Sequence, residues 1–316
     1  MHTLDLQHGI LLFIAAALGG AVNAVAGGGT LLTFPALLWA GQLEIVANAT
    51  STVALWPGAA SSFWGYRREL GSSRREIALL SIPSFLGGIA GAILLVSTSN
   101  ESFSCIVPYL ILLATTLFIV QEPLSRWLRR RAVGGAADRP PEGGQVAETP
   151  PKASRQRRLT NFLWCRRPAC AEIAGETPAP QETSPSAYRD AVPTASRARW
   201  ASVLVIQFAV GVYGGYFGAG IGILMLAAFG LLGLTNIHHM NALKNLNGMC
   251  INGIAAALFV AKGLVRWDIA LLMAAGAIFG GYAGAGTAQR IGQKNVRRMI
   301  ILIGLALTVW LLARKW

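Results

Sequence analysis

Apolar segments repeat along this chain so closely that little polar sequence separates them, and that spacing restricts the folds open to it. They fall at about 8–26, 30–41, 45–65, 76–97, 103–121, 200–217, 221–235, 240–261, 268–289 and 299–313. Several approach the roughly 20 residues that a helix needs to cross a hydrocarbon layer. Charged residues make up only 13% of the chain, against about 25% in soluble domains. A chain of 316 residues with so few charges cannot cover its own surface in water. The reading is an all-α, polytopic transmembrane helical bundle.

The charges that exist are concentrated. Residues 123–199 hold 14 of the 27 Lys and Arg and 7 of the 14 acidic residues. This stretch is rich in Pro, Arg, Ala, Ser and Thr, and it is expected to be a disordered basic cytoplasmic linker. It divides the chain into a first transmembrane repeat at 1–122 and a second at 200–316. The sequence pI of about 10.4 does not imply nucleic-acid binding, because the basic residues sit between apolar runs, where topology accounts for them. Cys105 and Cys250 read as small buried hydrophobes. Cys165 and Cys170 lie in the linker, which has no histidine, so no metal site and no other cofactor is implied. The first apolar run lacks a basic leader and an obvious cleavage site, and is read as a retained helix.

The two halves echo each other. Glu76-Ile-Ala-Leu-Leu80 matches Asp268-Ile-Ala-Leu-Leu272, and Gly87-Gly88-Ile-Ala-Gly91-Ala92 matches Gly280-Gly281-Tyr-Ala-Gly284-Ala285. Asn48-Ala49 matches Asn241-Ala242, and Gly27-Gly28-Gly29 matches Gly218-Ala219-Gly220, all at offsets of 191 to 193 residues. Ordered matches at a nearly constant offset indicate an internal repeat. Arg67, Arg68, Arg74 and Arg75 place the loop after the third segment in the cytoplasm, together with the linker, and the uncharged 98–102 loop outside. In the second half the stronger basic cluster, Arg290 to Arg298, lies one loop later. An odd number of segments per half produces that shift and makes the halves inverted repeats. Arg314 and Lys315 at an outer terminus fit this topology poorly.

Segments 30–41 and 221–235 are too short to span, and each follows a glycine cluster. They are expected to be half-helices that begin inside the membrane. Their first N–H groups have no intrahelical acceptor, and an anion at that point would satisfy them with help from the helix dipole. The glycines at 87, 91, 280 and 284 lie within longer apolar runs and are read as close helix packing instead. The third segment of each half opens with a polar run: Asn48, Thr50, Ser51 and Thr52 in one, Asn241, Lys244, Asn245, Asn247 and Asn252 in the other. Asn241, Lys244 and Asn245 share a helix face. Lys244 is the lysine inside an expected span, and a buried cation suits an anionic cargo. Snorkelling to the interface, or pairing with helix-end carbonyls, is the alternative role for it. His238 and His239 precede that segment, as interfacial residues or as proton-sensitive ones. The acidic residues fall at segment ends, which disfavours a cation cargo. The candidate substrate-binding residues are therefore Gly27, Gly28, Gly29, Thr30, Asn48, Thr50, Ser51, Gly218, Gly220, Asn241, Lys244 and Asn245. The partners implied are a small anionic substrate and the lipid bilayer.

Val22-Asn23-Ala-Val-Ala-Gly-Gly-Gly-Thr30, Phe34-Pro35 and Asn48-Ala-Thr-Ser51 resemble the first repeat of the sulfite exporter TauE/SafE family. Tyr213-Gly-Gly-Tyr-Phe-Gly-Ala-Gly-Ile-Gly222 followed by Asn241-Ala-Leu-Lys-Asn245 resembles its second. The resemblance covers both apolar halves. It implies a multi-pass permease of the inner (plasma) membrane for sulfite, sulfonates or other small sulfur or organic anions. The long Arg/Pro-rich insertion at 123–199 departs from the family pattern. A channel or non-transport subunit, and an intramembrane enzyme, are the other classes open. The enzyme is disfavoured, since neither a GxSxG serine motif nor HExxH occurs.

Overall fold

The computed structural model describes residues 6–25, 27–70, 74–137, 197–234, 236–291 and 293–313. Among them are ten α-helices and no strand: α1 (Leu6–Val25), α2 (Thr30–Trp39), α3 (Glu44–Tyr66), α4 (Arg74–Ser97), α5 (Asn100–Ala137), α6 (Arg197–Tyr216), α7 (Ile221–Leu231), α8 (Ile237–Ala261), α9 (Trp267–Ile291) and α10 (Gln293–Ala313). A 3₁₀ turn at Arg67–Leu70 follows α3. Each helix coincides with one apolar segment of the sequence, as a fold solvated by hydrocarbon requires, since backbone polar groups must pair within their own segment. Stretches in α4 (Glu76–Ser97), α5 (Asn100–Val120) and α8 (His239–Ala261) are long and apolar enough to cross a membrane. Their outward side chains are apolar, among them Ile82, Phe85, Leu86, Ile93 and Leu94 on α4, a surface suited to lipid.

Most of the linker, 138–196, lies outside the described residues, as do Cys165 and Cys170. Residues 123–137, assigned to that linker by composition, continue α5 without a break. The helix passes Pro123, and the Leu-Ser-Arg-Trp-Leu-Arg-Arg-Arg run that follows is mostly good helix formers, which favours its continuation.

The first four helix lengths run in parallel in the two halves, 20, 10, 23 and 24 residues against 20, 11, 25 and 25, while the fifth helices differ, 38 against 21. The packing corresponds too. Helix α1 lies along α9 as α6 lies along α4, α3 meets α9 as α8 meets α4, and α10 meets α2 as α5 meets α7. Helices α3 and α8 run antiparallel: His239 meets Glu69 just beyond the end of α3, Trp56 Nε1 donates to the Met249 carbonyl, and the Arg266 amide donates to Thr50.

Glycine makes the two long pairings possible. At α4–α6, a Cβ on Gly87 would stand 2.9 Å from Gly211 Cα, and one on Gly215 would stand 3.0 Å from Ala92 N. At α1–α9, a Cβ on Gly276 would stand 2.6 Å from the Phe13 carbonyl oxygen, and Gly20 and Gly280 face backbone just as closely. Without a hydrophobic force between helices in lipid, such close backbone contact is a main source of association. Gly87→Leu is expected to lower the melting temperature in detergent by about 3–10 °C, from ~1–3 kcal/mol of overpacking. Gly281, with no neighbouring atom within 4 Å of a Cβ, serves as the control, and Gly281→Ala is expected to melt at or slightly above the wild-type temperature. Equal melting of the two variants contradicts the packing account.

Candidate functional site

Two interruptions define the middle of the molecule. Helix α1 ends at Val25 and α2 starts at Thr30. Helix α6 ends at Tyr216 and α7 starts at Ile221. With 10 and 11 residues, α2 and α7 reach about 15 Å each, half of a hydrocarbon layer. The chain turns through left-handed backbone at Gly27 (φ 75°), Gly218 (φ 80°) and Gly220 (φ 78°), which a side-chain-bearing residue adopts only at a cost of about 1–2 kcal/mol. The two turns approach each other, and a Cβ on Gly27 would lie 3.7 Å from Gly222 Cα.

Neither half-helix has a side-chain cap at its start. The first bonds closed are Leu31 N–H to Gly28 O and Leu32 N–H to Gly29 O in α2, and Ile223 N–H to Gly220 O in α7. Thr30, Ile221 and Gly222, just ahead of these bonds, face a common cavity. The positive ends of two helix dipoles therefore converge there.

The cavity measures about 50 Å³, room for roughly four water-sized groups. Five of the residues singled out from sequence line it: Gly27, Thr30, Gly218, Lys244 and Asn245. Lys244, Gly248 and Asn252 succeed one another at four-residue spacing on one face of α8 and all border it. Lys244 is only 6% exposed. Among the described residues no carboxylate or other side chain pairs with its ammonium. So little exposure argues against the snorkelling role, which needs the amine in water.

Other candidates hold the interruptions in place. Asn48 donates from Nδ2 to the carbonyl of Tyr216, the last residue of α6, at 2.9 Å. This pairs a carbonyl freed where that helix stops. Ser51 and Thr33 share a 2.6 Å hydrogen bond between α3 and α2, and Thr33 also donates to Gly29 O at 3.2 Å. Thr50 accepts the Arg266 amide at 3.2 Å, just ahead of α9. Gly28 lies against the Phe118 ring, Gly29 against the Gly19 backbone, and Gly220 against Ala114 and Leu117. Asn241 is half-buried on α8 and is not among the cavity-lining residues. Tyr213 adds a further tie by donating to Ala219 O at 2.8 Å.

The cavity also draws in Asn23, Thr52, Ser62, Met249 and Asn252. Thr52 and Asn252 belong to the polar runs already visible in sequence. Asn23 interrupts the apolar run of α1, a signal that was available. Ser62 carries none, since serines are common in helices that face one another. The lining runs along α3 from Thr52 to Ser62, toward the end that carries Arg67. Phe34 and Phe217 pack edge to face at 5.5 Å, and Phe103 and Tyr216 at 5.6 Å, all of them buried.

Comparison with known proteins agrees with this architecture. The family model for "Sulfite exporter TauE/SafE" matches residues 12–311. A probable membrane transporter protein of Haemophilus influenzae is 26% identical over 299 residues, covering 94% of this chain and 92% of the relative. A probable membrane transporter protein, ORF9, of a Sinorhizobium species is 23% identical, covering 96% and 91%. The probable membrane transporter protein YfcA of Escherichia coli K12 is 24% identical, covering 96% and 88%. No solved structure matches the chain. The paired glycine interruptions and a family match spanning both halves lead to one conclusion: the chain is a membrane transporter belonging to the sulfite exporter TauE/SafE family.

Proposed function

We propose that this protein is a multi-pass secondary carrier of the inner membrane, built from two inverted repeats, that moves a small anion held in the central cavity. The observation that carries this reading is the buried, unpaired Lys244 ammonium beside the starts of two uncapped half-helices. An isolated charge in an apolar interior is costly. An anion would neutralise it and accept from the amides at the same time. Around it, Asn23, Thr30, Thr52, Asn245 and Asn252 offer the several polar groups that an oxyanion engages. The size of the cavity favours a compact guest. Sulfite, the cargo in the family's name, has four heavy atoms, and a short sulfonate is the next candidate. Antiparallel α3 and α8, together with the exchange of packing partners between the halves, support inverted repeats. One repeat moving against the other would then expose the cavity to each side in turn.

Counterflow in proteoliposomes with sulfite, thiosulfate, sulfonates and carboxylates tests the reading. A carrier gives saturable uptake that is accelerated by the same anion inside. Non-saturable flux would make the protein a channel, and no flux with any of these anions would defeat the anion assignment. Lys244→Met is expected to reduce uptake about 10- to 100-fold, the equivalent of ~1.5–3 kcal/mol for a lost charged hydrogen bond. The same change is expected to raise the melting temperature, because it removes a buried charge without a partner. Unchanged uptake in that variant would remove Lys244 from the site.

Gly248 gives an independent steric test. It lines the cavity, and a Cβ there meets no atom within 4 Å. Gly248→Leu is expected to fill the cavity and cut uptake while leaving the melting temperature within about 2 °C of wild type. Full uptake in this variant would place the anion elsewhere.

A further inference from the structure

Away from the cavity, one ionisable pair is buried at the end of the molecule that carries Arg67. His239, in the first turn of α8, is 6% exposed, and Glu76, in the first turn of α4, is 5% exposed. Sequence placed His239 in a loop and Glu76 at a segment end. The structure instead folds both into helices and turns them toward each other. Their separation is 3.3 Å from Nε2 to Oε1. The other ring nitrogen, Nδ1, lies 3.1 Å from the Glu69 carbonyl in the 3₁₀ turn. Asn236 caps the start of α8 by accepting the His239 amide at 3.3 Å. One imidazole therefore joins α8, α4 and the 3₁₀ turn.

Proton counting follows from these partners. A carbonyl only accepts, so Nδ1 must carry a proton. Nε2 faces a carboxylate oxygen, and a hydrogen bond there needs a second proton between the two atoms, whichever of them holds it. In either arrangement the pair is neutral overall. Losing that proton leaves a lone pair against an ionised carboxylate, a net negative charge that is buried and unbonded. The contact that ties α8 to α4 is then lost, while Nδ1–H keeps its bond to the Glu69 carbonyl. Along α8, Lys244 borders the cavity five residues further on. In the 3₁₀ turn, Arg67 and Glu69 are exposed. Helix α7 has no ionisable side chain, and α6 has Arg197 and Arg199 at its start and then none before Tyr213. On α3, Tyr66 is at the near end and Glu44 at the far end, where Asn100 donates to it at 2.9 Å.

Helix α8 also carries the anion site. Its cavity face holds Lys244, Gly248 and Asn252, while its α4 face holds His239 and Asn247, the latter bonded to Ser81 at 2.9 Å. We propose that the His239–Glu76 pair is a proton-binding latch: with its proton bound it fixes the start of α8 to α4, and proton release opens that contact, making anion transport proton-dependent. The latch itself stands on the geometry of the pair. Its link to transport rests on the carrier reading above.

Two measurements separate the two ideas. Hydrogen exchange in detergent needs no substrate. From about pH 5 to about pH 8, protection factors for amides at Glu76–Leu80 and His239–Leu243 are expected to fall roughly tenfold or more in the wild type. In Glu76→Gln, whose amide pairs with neutral imidazole, they are expected to stay level. Protection that is independent of pH in the wild type, or equally pH-dependent in both proteins, overturns the latch. If Glu76→Gln does not fold, His239→Gln takes its place with the same expectation. In the second measurement, radiolabelled sulfite counterflow at equal pH on both sides should vary with pH in the wild type. It should be nearly flat but present in Glu76→Gln, and reduced about 10- to 100-fold at every pH in Lys244→Met. The wild-type pH profile retained in Glu76→Gln overturns proton-dependent transport. Sulfite flux missing from the wild type counts against sulfite as cargo and leaves the exchange result to decide the latch.

Discussion

A peptide group in hydrocarbon has no water to bond, so each N–H and C=O must find its partner inside the protein. The helices of this chain meet that requirement within themselves. At the two glycine turns they do not, and much of the central structure is arranged around that local shortfall. Asn48 takes up a carbonyl at the end of α6, Tyr213 closes the following turn, and Thr33 and Ser51 tie the start of α2 to α3. What stays open are the starts of α2 and α7, and both point into one small polar cavity. A guest that accepts hydrogen bonds suits that place, and a negatively charged one suits it better because of Lys244.

The same arrangement assigns different work to the two halves. The third helices, α3 and α8, correspond in sequence and lie against each other in the fold. Yet α3 spends Asn48, Thr50 and Ser51 on internal hydrogen bonds, while α8 turns Lys244, Asn245 and Asn252 toward the cavity. The aromatic pairs Phe34–Phe217 and Phe103–Tyr216 join α2 and α5 to the end of α6. The cavity lining runs along α3 from Thr52 to Ser62, toward the end where His239 and Glu76 meet.

How much was legible in the residues differs by feature. Helix positions were, because a lipid-solvated helix must be apolar over its length and its limits show as changes in composition. The half-helices at 30 and 221 were, because a short apolar run after clustered glycines has few other folds. Lys244 stood out because a charge within an apolar span is rare and costly. The division of the polar residues between cavity and scaffold was hidden. Asn48 and Asn245 look alike in sequence, and only the neighbouring chain decides which of them bonds a carbonyl and which faces open space. The continuation of α5 to Ala137 was missed for a related reason, since composition marks where a helix leaves the membrane but not where its hydrogen bonding stops.

By itself, then, the sequence determined a lipid-solvated helical chain with matching motifs in its two halves, two breaks and a lysine within an apolar segment. These are properties of local composition and spacing, and each is fixed by residues near one another in the chain. The tertiary structure decided what those pieces face. It brought Gly27 to Gly222, buried Lys244 with no counter-charge among the described residues, and closed Glu76 onto His239 across 163 residues of chain. Contacts of that range arise only when whole helices pack, because each depends on the backbone separation that distant glycines at the α1–α9 and α4–α6 crossings allow.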